Sequence, residues 1–530
     1  MINSKNFENF IFVFIFFLST AFLLFRYTYD SLPGDLGDTI FSIFLLESFH
    51  NSIINNNSFT DLPYQFPLKN NIYFSETMWG SAWIYSIFRF IGNNTIDSFK
   101  FYFITCSLLN YIVCYFVLRK LKLSIQSSLI AAFLFSFSLP ILAHDVRPQL
   151  LLRFYTPLSF YFYYRYLDNF ELKYVVLSFL FVFLQILSSM YLGIFLIIFL
   201  IITHIIKFSE KKKINNLDLK TFFKVKIKSK VFIIIFLILV GCFFYYIFSY
   251  YSIKNIYEFK RSYPESALIN IFSFFTTERS FLGFYRILPN QFPLGEQQLY
   301  LGVSFYIVLF IFFKNRKFLS DTEFSSIMKK ATFINLLLYT SFFGISFFLI
   351  LYYMPGLSGL RAPVRSILII LFPISFILGL YIDEISKIKF KKFFLIKYLL
   401  VFFLLSEILS AKLSMVEIKS IENRISQISK KINNSNKNKI LVFKHSDNYV
   451  QNYHDDVFRS LYTVMNNLKT FNGYTSFVPE FSRPFKNCSE FDKFITELNK
   501  FHDENNLKKR KFENSEVTFI NFEKDCFISD

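Results

Sequence analysis

Two carboxylates stand three residues apart in Gly34-Asp35-Leu36-Gly37-Asp38-Thr39-Ile40-Phe41, just after the first long apolar run. An ionisable side chain at the edge of a membrane is costly to keep and is read as functional by default. Asp38 has the chemistry of a general base for a hydroxyl; the plainer alternative is an N-cap for the apolar helix that follows. That helix is apolar nearly all round, a pattern of burial. Glu47 and His50 interrupt it three residues apart on one face, a second candidate acid–base pair. On an ideal helix Asp38 lies off that face and acts from the helix start. Further on come Ser75-Glu76 and Trp79-Gly80, where Glu76 could bind substrate and Trp79 could stack on a sugar ring. The only other tryptophan is Trp83, and both also fit an aromatic belt at the membrane surface.

Two later turns carry cations and amides. His144-Asp145-Val146-Arg147-Pro148-Gln149 offers Gln149, and Gly359-Leu360-Arg361-Ala362-Pro363-Val364-Arg365 offers two arginines. Arg361 and Arg365 fall on the side that membrane charge asymmetry leaves poor in cations. A guanidinium is suited to bidentate phosphate recognition. Pairing with Asp35, Glu76 or Glu296 is the alternative.

These groups need a membrane scaffold, and the composition supplies one. The chain has 530 residues, 53% of them hydrophobic, gathered in runs of the roughly 20 residues that cross a bilayer. Expected spans fall at 10–25, 101–118, 127–143, 150–166, 174–189, 192–206, 231–248, 300–313, 333–351, 366–382 and 393–411. The net charge of +19 is concentrated in short loops between them. That is the asymmetry of cytoplasmic loops, not a nucleic-acid-binding stripe. The N-terminus is then cytoplasmic, the first run is an uncleaved anchor, and loops 26–100 and 249–299 face outward. The fold class expected is mainly α, a polytopic helical membrane protein of about eleven spans, with a small α/β domain at the C-terminus. The boundaries are 1–411 for the membrane part, 412–438 for a linker helix and 439–530 for the tail. Strands are expected at 440–443 and 517–520, helices near 457–467 and 490–505. An odd span count leaves the tail outside, where Cys488 and Cys526 could form a disulfide; Cys106, Cys114 and Cys242 lie within spans.

Taken in order, Gly37-Asp38-Thr39, Glu47 and His50, Phe66-Pro67, Ser75-Glu76, Pro148-Gln149, Gly359 to Arg365 and Asn472-Gly473-Tyr474-Thr475-Ser476-Phe477-Val478-Pro479 resemble a poorly characterised bacterial branch of the GT-C superfamily of polytopic glycosyltransferases. Two departures stand out. Glu47 and His50 are separated where the family pattern has them adjacent, and Arg147 occupies the His position of His-Pro-Gln. The resemblance implies transfer of a sugar from a polyprenyl-phosphate donor to a glycan or lipid acceptor outside the bacterial cytoplasmic membrane, with Asp38 as base or acceptor-orienting group. A divalent cation, Mg2+ or Mn2+, could bridge the phosphate, although nothing in the sequence requires one. Two other classes stay open: a transporter or flippase for a lipid-linked glycan, and a non-catalytic cell-envelope assembly protein. A transporter is expected to carry internal repeats and broken helices near mid-membrane. No repeat is evident, and the polar residues gather at the outer edge.

Overall fold

The computed structural model describes residues 4–215, 225–259, 268–280, 282, 295–314, 322–342, 345–354, 357–387, 391–432, 440–475, 479, 485–505 and 516–520. Helices dominate. α1 (Ser4–Thr28), α2 (Asp38–Ile54), α3 (Trp79–Phe90), α4 (Thr95–Lys120), α5 (Ile125–Phe137), the short α6 (Leu139–Ala143), α7 (Tyr155–Asn169), α8 (Leu172–Ser188), α9 (Met190–Asn215) and α10 (Lys230–Ile256) make up the first half. α11 (Val303–Lys314), α12 (Glu323–Tyr339), α13 (Phe348–Tyr352), α14 (Ile367–Lys387) and α15 (Lys391–Leu409) follow.

Among the described residues six helical stretches are long and apolar enough to cross a membrane: Asn6–Thr28, Thr95–Lys120, Ile125–Ala143, Met190–Glu210, Lys230–Ile256 and Pro363–Ser386. Burial sorts them by role. The spans containing α5 and α14 are 83% buried and pack on each other at the centre, whereas the span of α10 is 6% buried with a mean hydropathy of 2.9. So apolar a helix, uncovered on nearly all sides, is stable only where lipid replaces water. The other expected spans are occupied by shorter helices: α7 (15 residues), α8 (17), α11 (12), α12 (17) and α15 (19). One expectation is corrected. The span placed at 333–351 is not continuous, because α12 begins at Glu323 and ends at Tyr339. Thr340 and Ser341 turn extended and pair in parallel with Ile269 and Asn270, and α13 restarts only at Phe348. The polar residues Thr340, Ser341 and Ser346 interrupt the apolar run there, and the Ser346 hydroxyl caps back onto the carbonyl of Leu338.

The two ends of the bundle differ. At one end Lys397 joins Glu8 and Gln126, and Asp383 accepts from Ser124 and Ser127. At the other end the chain after α1 forms β1 (Ser31–Pro33), which pairs antiparallel with β4 (Met415–Glu417); between them in sequence lies β2 (Ile269–Asn270), paired with β3 (Thr340–Ser341). β4 runs into α16 (Ile418–Lys431), where a linker helix was expected, and then the tail begins. Its β5 (Ile440–Phe443), β6 (Lys469–Thr470) and β7 (Val517–Ile520) form a parallel sheet in the order β6-β5-β7, with α17 (Tyr449–Met465) and α18 (Cys488–Glu504) as its helices.

This tail is built onto the first loop. α17 packs on α2, and the backbone of Thr470 exchanges hydrogen bonds with Pro63 and Phe66 while Gln65 donates to Asn472. Gly37 permits the closest approach: a Cβ there would lie 2.1 Å from the Tyr453 hydroxyl. Cys488 is disulfide-bonded and Cys106, Cys114 and Cys242 are free thiols; Cys526, its expected partner, lies outside the described residues.

Candidate functional site

The site is assembled at the β1/β4 end of the bundle from residues far apart in sequence. Asp38 is the first residue of α2, whose N-cap is Gly37 and whose start has no side-chain cap. The capping alternative therefore does not describe Asp38. Asp35 does the local work instead, accepting from the backbone N–H of Gly37 at 2.9 Å, while Thr39 ties the turn to Pro33. The Asp38 carboxylate is left to face outward. The Tyr453 hydroxyl of α17 donates to its Oδ1 at 3.3 Å, and Arg147 Nε lies 3.9 Å from its Oδ2. Its side chain is 34% exposed. Burial raises its pKa, Arg147 opposes that, and neighbouring Asp35 pushes it further up.

Arg147 leads to a hub. Its Nη2 lies 3.1 Å from Glu296 Oε1, and Arg365 grips Glu296 with two contacts of 2.8 Å from Nε and Nη2. This fork-to-fork geometry is the stronger form of ion pair. Burial alone would raise the Glu296 carboxyl, but Arg365 above all, then His144 and Arg147, hold it well below the usual carboxylate range. His144 completes the group. Its Nδ1 donates to the Pro140 carbonyl at 2.8 Å, and its Nε2 lies 3.7 Å from Glu296 Oε2, a contact that is an ion pair when the ring is protonated. The Arg365 guanidinium lies over the Tyr191 ring at 4.8 Å, and the Tyr191 N–H donates at 3.4 Å to Glu76, which also accepts from Ser189 at 3.0 Å. Electrostatic coupling links Glu76 to Arg365 and Asp38. One run of groups thus goes Tyr453, Asp38, Arg147, Glu296, Arg365, Tyr191, Glu76.

Of the residues singled out in the sequence, the structure brings together Asp35, Asp38, Glu76 and Arg365. Arg361 lies four residues before Arg365 and is exposed, with no ion pair among the described residues. Gln149 lies two residues after Arg147, and its Oε1 is buried without a partner among the described residues. Trp79 packs edge-on against Tyr73 and near Tyr246, with centroids 6.2 and 6.1 Å away.

Glu47 and His50 do not join Asp38. Nine and twelve residues along α2, they sit about 14 and 18 Å up the helix axis. Glu47 is buried and bound by both arms of Arg89, at 2.9 and 3.0 Å, with Tyr85 donating at 2.5 Å. His50 is buried against Phe90, and burial lowers its pKa. The i, i+3 face these two share is a packing face. Arg365 meets Glu296, one of the alternatives its sequence position allowed.

Sequence reasoning passed over Tyr453 as well as Arg147 and Glu296 as the centre of the site. For Arg147 a signal existed: it is a cation in a turn on the expected outer side. Among the described residues no group of three or more His, Cys, Asp or Glu side chains stands together.

No protein-family model matches the chain, and no curated protein matches it. Among solved structures it is similar to the oligosaccharyltransferase of Archaeoglobus fulgidus in its apo form, at 10% identity and a TM-score of 0.42. The match covers 88% of this chain and 65% of that one, so this chain spans just under two thirds of the neighbour's length.

Proposed function

We propose that this chain is a membrane glycosyltransferase that moves a sugar from a polyprenyl-phosphate donor to a glycan or lipid acceptor at the extracytoplasmic face of a bacterial cytoplasmic membrane. The observation that carries this reading is Asp38 itself. It is a carboxylate at a helix start with no capping duty, open to solvent on one side and next to a row of guanidinium groups. Such a pairing suits attack by a hydroxyl on a carbon whose leaving group is a phosphate. Asp38 takes the proton from the acceptor hydroxyl, and a raised pKa makes it a better base as long as it stays ionised. The new glycosidic bond forms at the anomeric carbon as its bond to the phosphate oxygen breaks. The charge that builds on that oxygen is met by arginine donors already in place. Arg361, free of any ion pair among the described residues, is the cation we assign to the donor phosphate. A divalent ion, where one is used, enters with that phosphate, since Mg2+ is commonly held by one or two protein carboxylates plus substrate oxygens.

The reading is tested by reconstituting the purified protein in proteoliposomes with radiolabelled polyprenyl-phosphate sugars. The expected result is labelled product that depends on both protein and acceptor. Movement of intact donor across the bilayer with no transfer would instead identify a transporter and overturn it.

A further inference from the structure

Glu76 is a member of the site whose carboxylate is only partly answered by its contacts. Its Oε1 accepts from Ser189 and from the Tyr191 N–H, but its Oε2 is buried and has no hydrogen-bond partner among the described residues. Arg365, the cation whose charge acts most on Glu76, is committed to Glu296 through both arms. From α10, Tyr246 and Tyr250 lie beside Glu76 with hydroxyls already engaged: Tyr246 shares a hydrogen bond with Thr77, and Tyr250 donates to the Ser75 carbonyl at 2.7 Å. Asp38 adds like charge from the other side. A buried carboxylate oxygen with neither donor nor free cation is expensive when ionised and acceptable when it carries a proton.

We infer that the site accepts the anionic donor only while Glu76 is a neutral carboxylic acid and that its ionisation excludes the donor, so that Glu76 gates donor binding by pH. The argument rests on the proposed use of a polyprenyl-phosphate donor. Without Glu76, the site already holds the carboxylates of Asp35, Asp38 and Glu296, with Arg147 and Arg365 engaged by Glu296. A charged Glu76 would add one more negative charge there, and Tyr191, which donates to Glu76 through its N–H and to the Gly359 carbonyl through its hydroxyl, ties it to the turn that carries Arg361, the cation assigned to the phosphate. Burial pushes the Glu76 carboxyl up to about 7, with Arg365, Ser189 and the Tyr191 N–H pulling the other way. The gate therefore falls near neutrality: open below about pH 7 and closing above it.

Two measurements test this. The first needs no substrate. Infrared difference spectra of the wild-type protein minus E76Q, taken at pH 6, should show the carbonyl stretch of a protonated acid that is missing from the variant; ionised carboxylate bands alone would overturn the inference. The second uses a farnesyl-phosphate sugar, a phosphodiester whose single charge is constant over this range. Its dissociation constant for the wild type should rise toward tenfold per pH unit above 7, the limit for one linked proton, while E76Q, fixed in the neutral form, stays flat. Equal slopes for both proteins would overturn the gate. Failure of both to bind the diester at any pH would refute the donor reading and the gate with it, while the infrared result would still report the protonation of Glu76. If E76Q does not fold, S189A provides the second route. It removes one of the hydrogen bonds that favour the charged form, so the binding transition should move to higher pH.

Discussion

Glu296 holds two guanidinium groups, and replacing it with glutamine removes the charge while keeping the shape. Arg365 would lose the anion it contacts twice at 2.8 Å, and Arg147 the one it contacts at 3.1 Å. Neutralising one partner of a buried ion pair costs about 3–5 kcal/mol. The Glu296 side chain is 19% exposed, and a glutamine carbonyl still accepts a hydrogen bond. We therefore expect Glu296→Gln to destabilise the protein by about 2–3 kcal/mol. The assay is unfolding in mixed detergent micelles followed by circular dichroism, run as a pH series. The folded carboxyl is held below its unfolded value near 4.5, so its stabilisation is complete above that pH and is lost as pH falls toward the folded pKa. The gap between wild type and E296Q should accordingly be widest above pH 5 and close on acidification. A difference under about 0.5 kcal/mol, with parallel acid limbs, would refute the assignment of Glu296 as the hub.

Tyr453→Phe removes the long hydrogen bond to Asp38, which should cost no more than about 1 kcal/mol in stability. That bond lowers the Asp38 pKa, so its loss should move the acid limb of kcat/KM to higher pH, a shift read directly from the pH–rate profile. Arg361→Lys keeps the charge but loses the planar fork. It should raise KM for the donor and leave KM for the acceptor unchanged, which steady-state kinetics with each substrate varied in turn will show. A topology reporter fused after Ala411 should report the extracytoplasmic side and one within 211–230 the cytoplasmic side; both on one side would break the eleven-span reading.

The parts of this structure that were legible in the sequence are those encoded locally. Ile440 to Phe443 and Val517 to Ile520 are short apolar runs rich in β-branched residues, and both are strands. The all-round apolar helix after Gly37 runs to Ile54 and is buried on most of its surface. What was hidden depends on long-range pairing. No local signal says that 415–417 pairs with 31–33, or that 470–472 lies along 63–66, since those contacts span nearly the whole chain. Asp38, Arg147, Glu296 and Tyr453 are likewise brought together across more than 400 residues. Glu47 and His50 misled because an i, i+3 pair on an apolar helix looks the same whether it faces a cavity or a buried arginine. Arg89, the residue that decides between the two, lies on another helix.

The central claim is that the Asp38 carboxylate accepts the proton of the acceptor. Its most direct test is Asp38→Asn in reconstituted membranes supplied with a polyprenyl-phosphate sugar and acceptor, with folding checked by the same unfolding curves. The amide matches the carboxylate in size, and no cap is lost because Asp38 makes none. Loss of a general base lowers the rate by about 10²–10⁴-fold, so transfer should fall within that range while the unfolding midpoint stays close to wild type. Transfer at the wild-type rate by D38N would contradict the account.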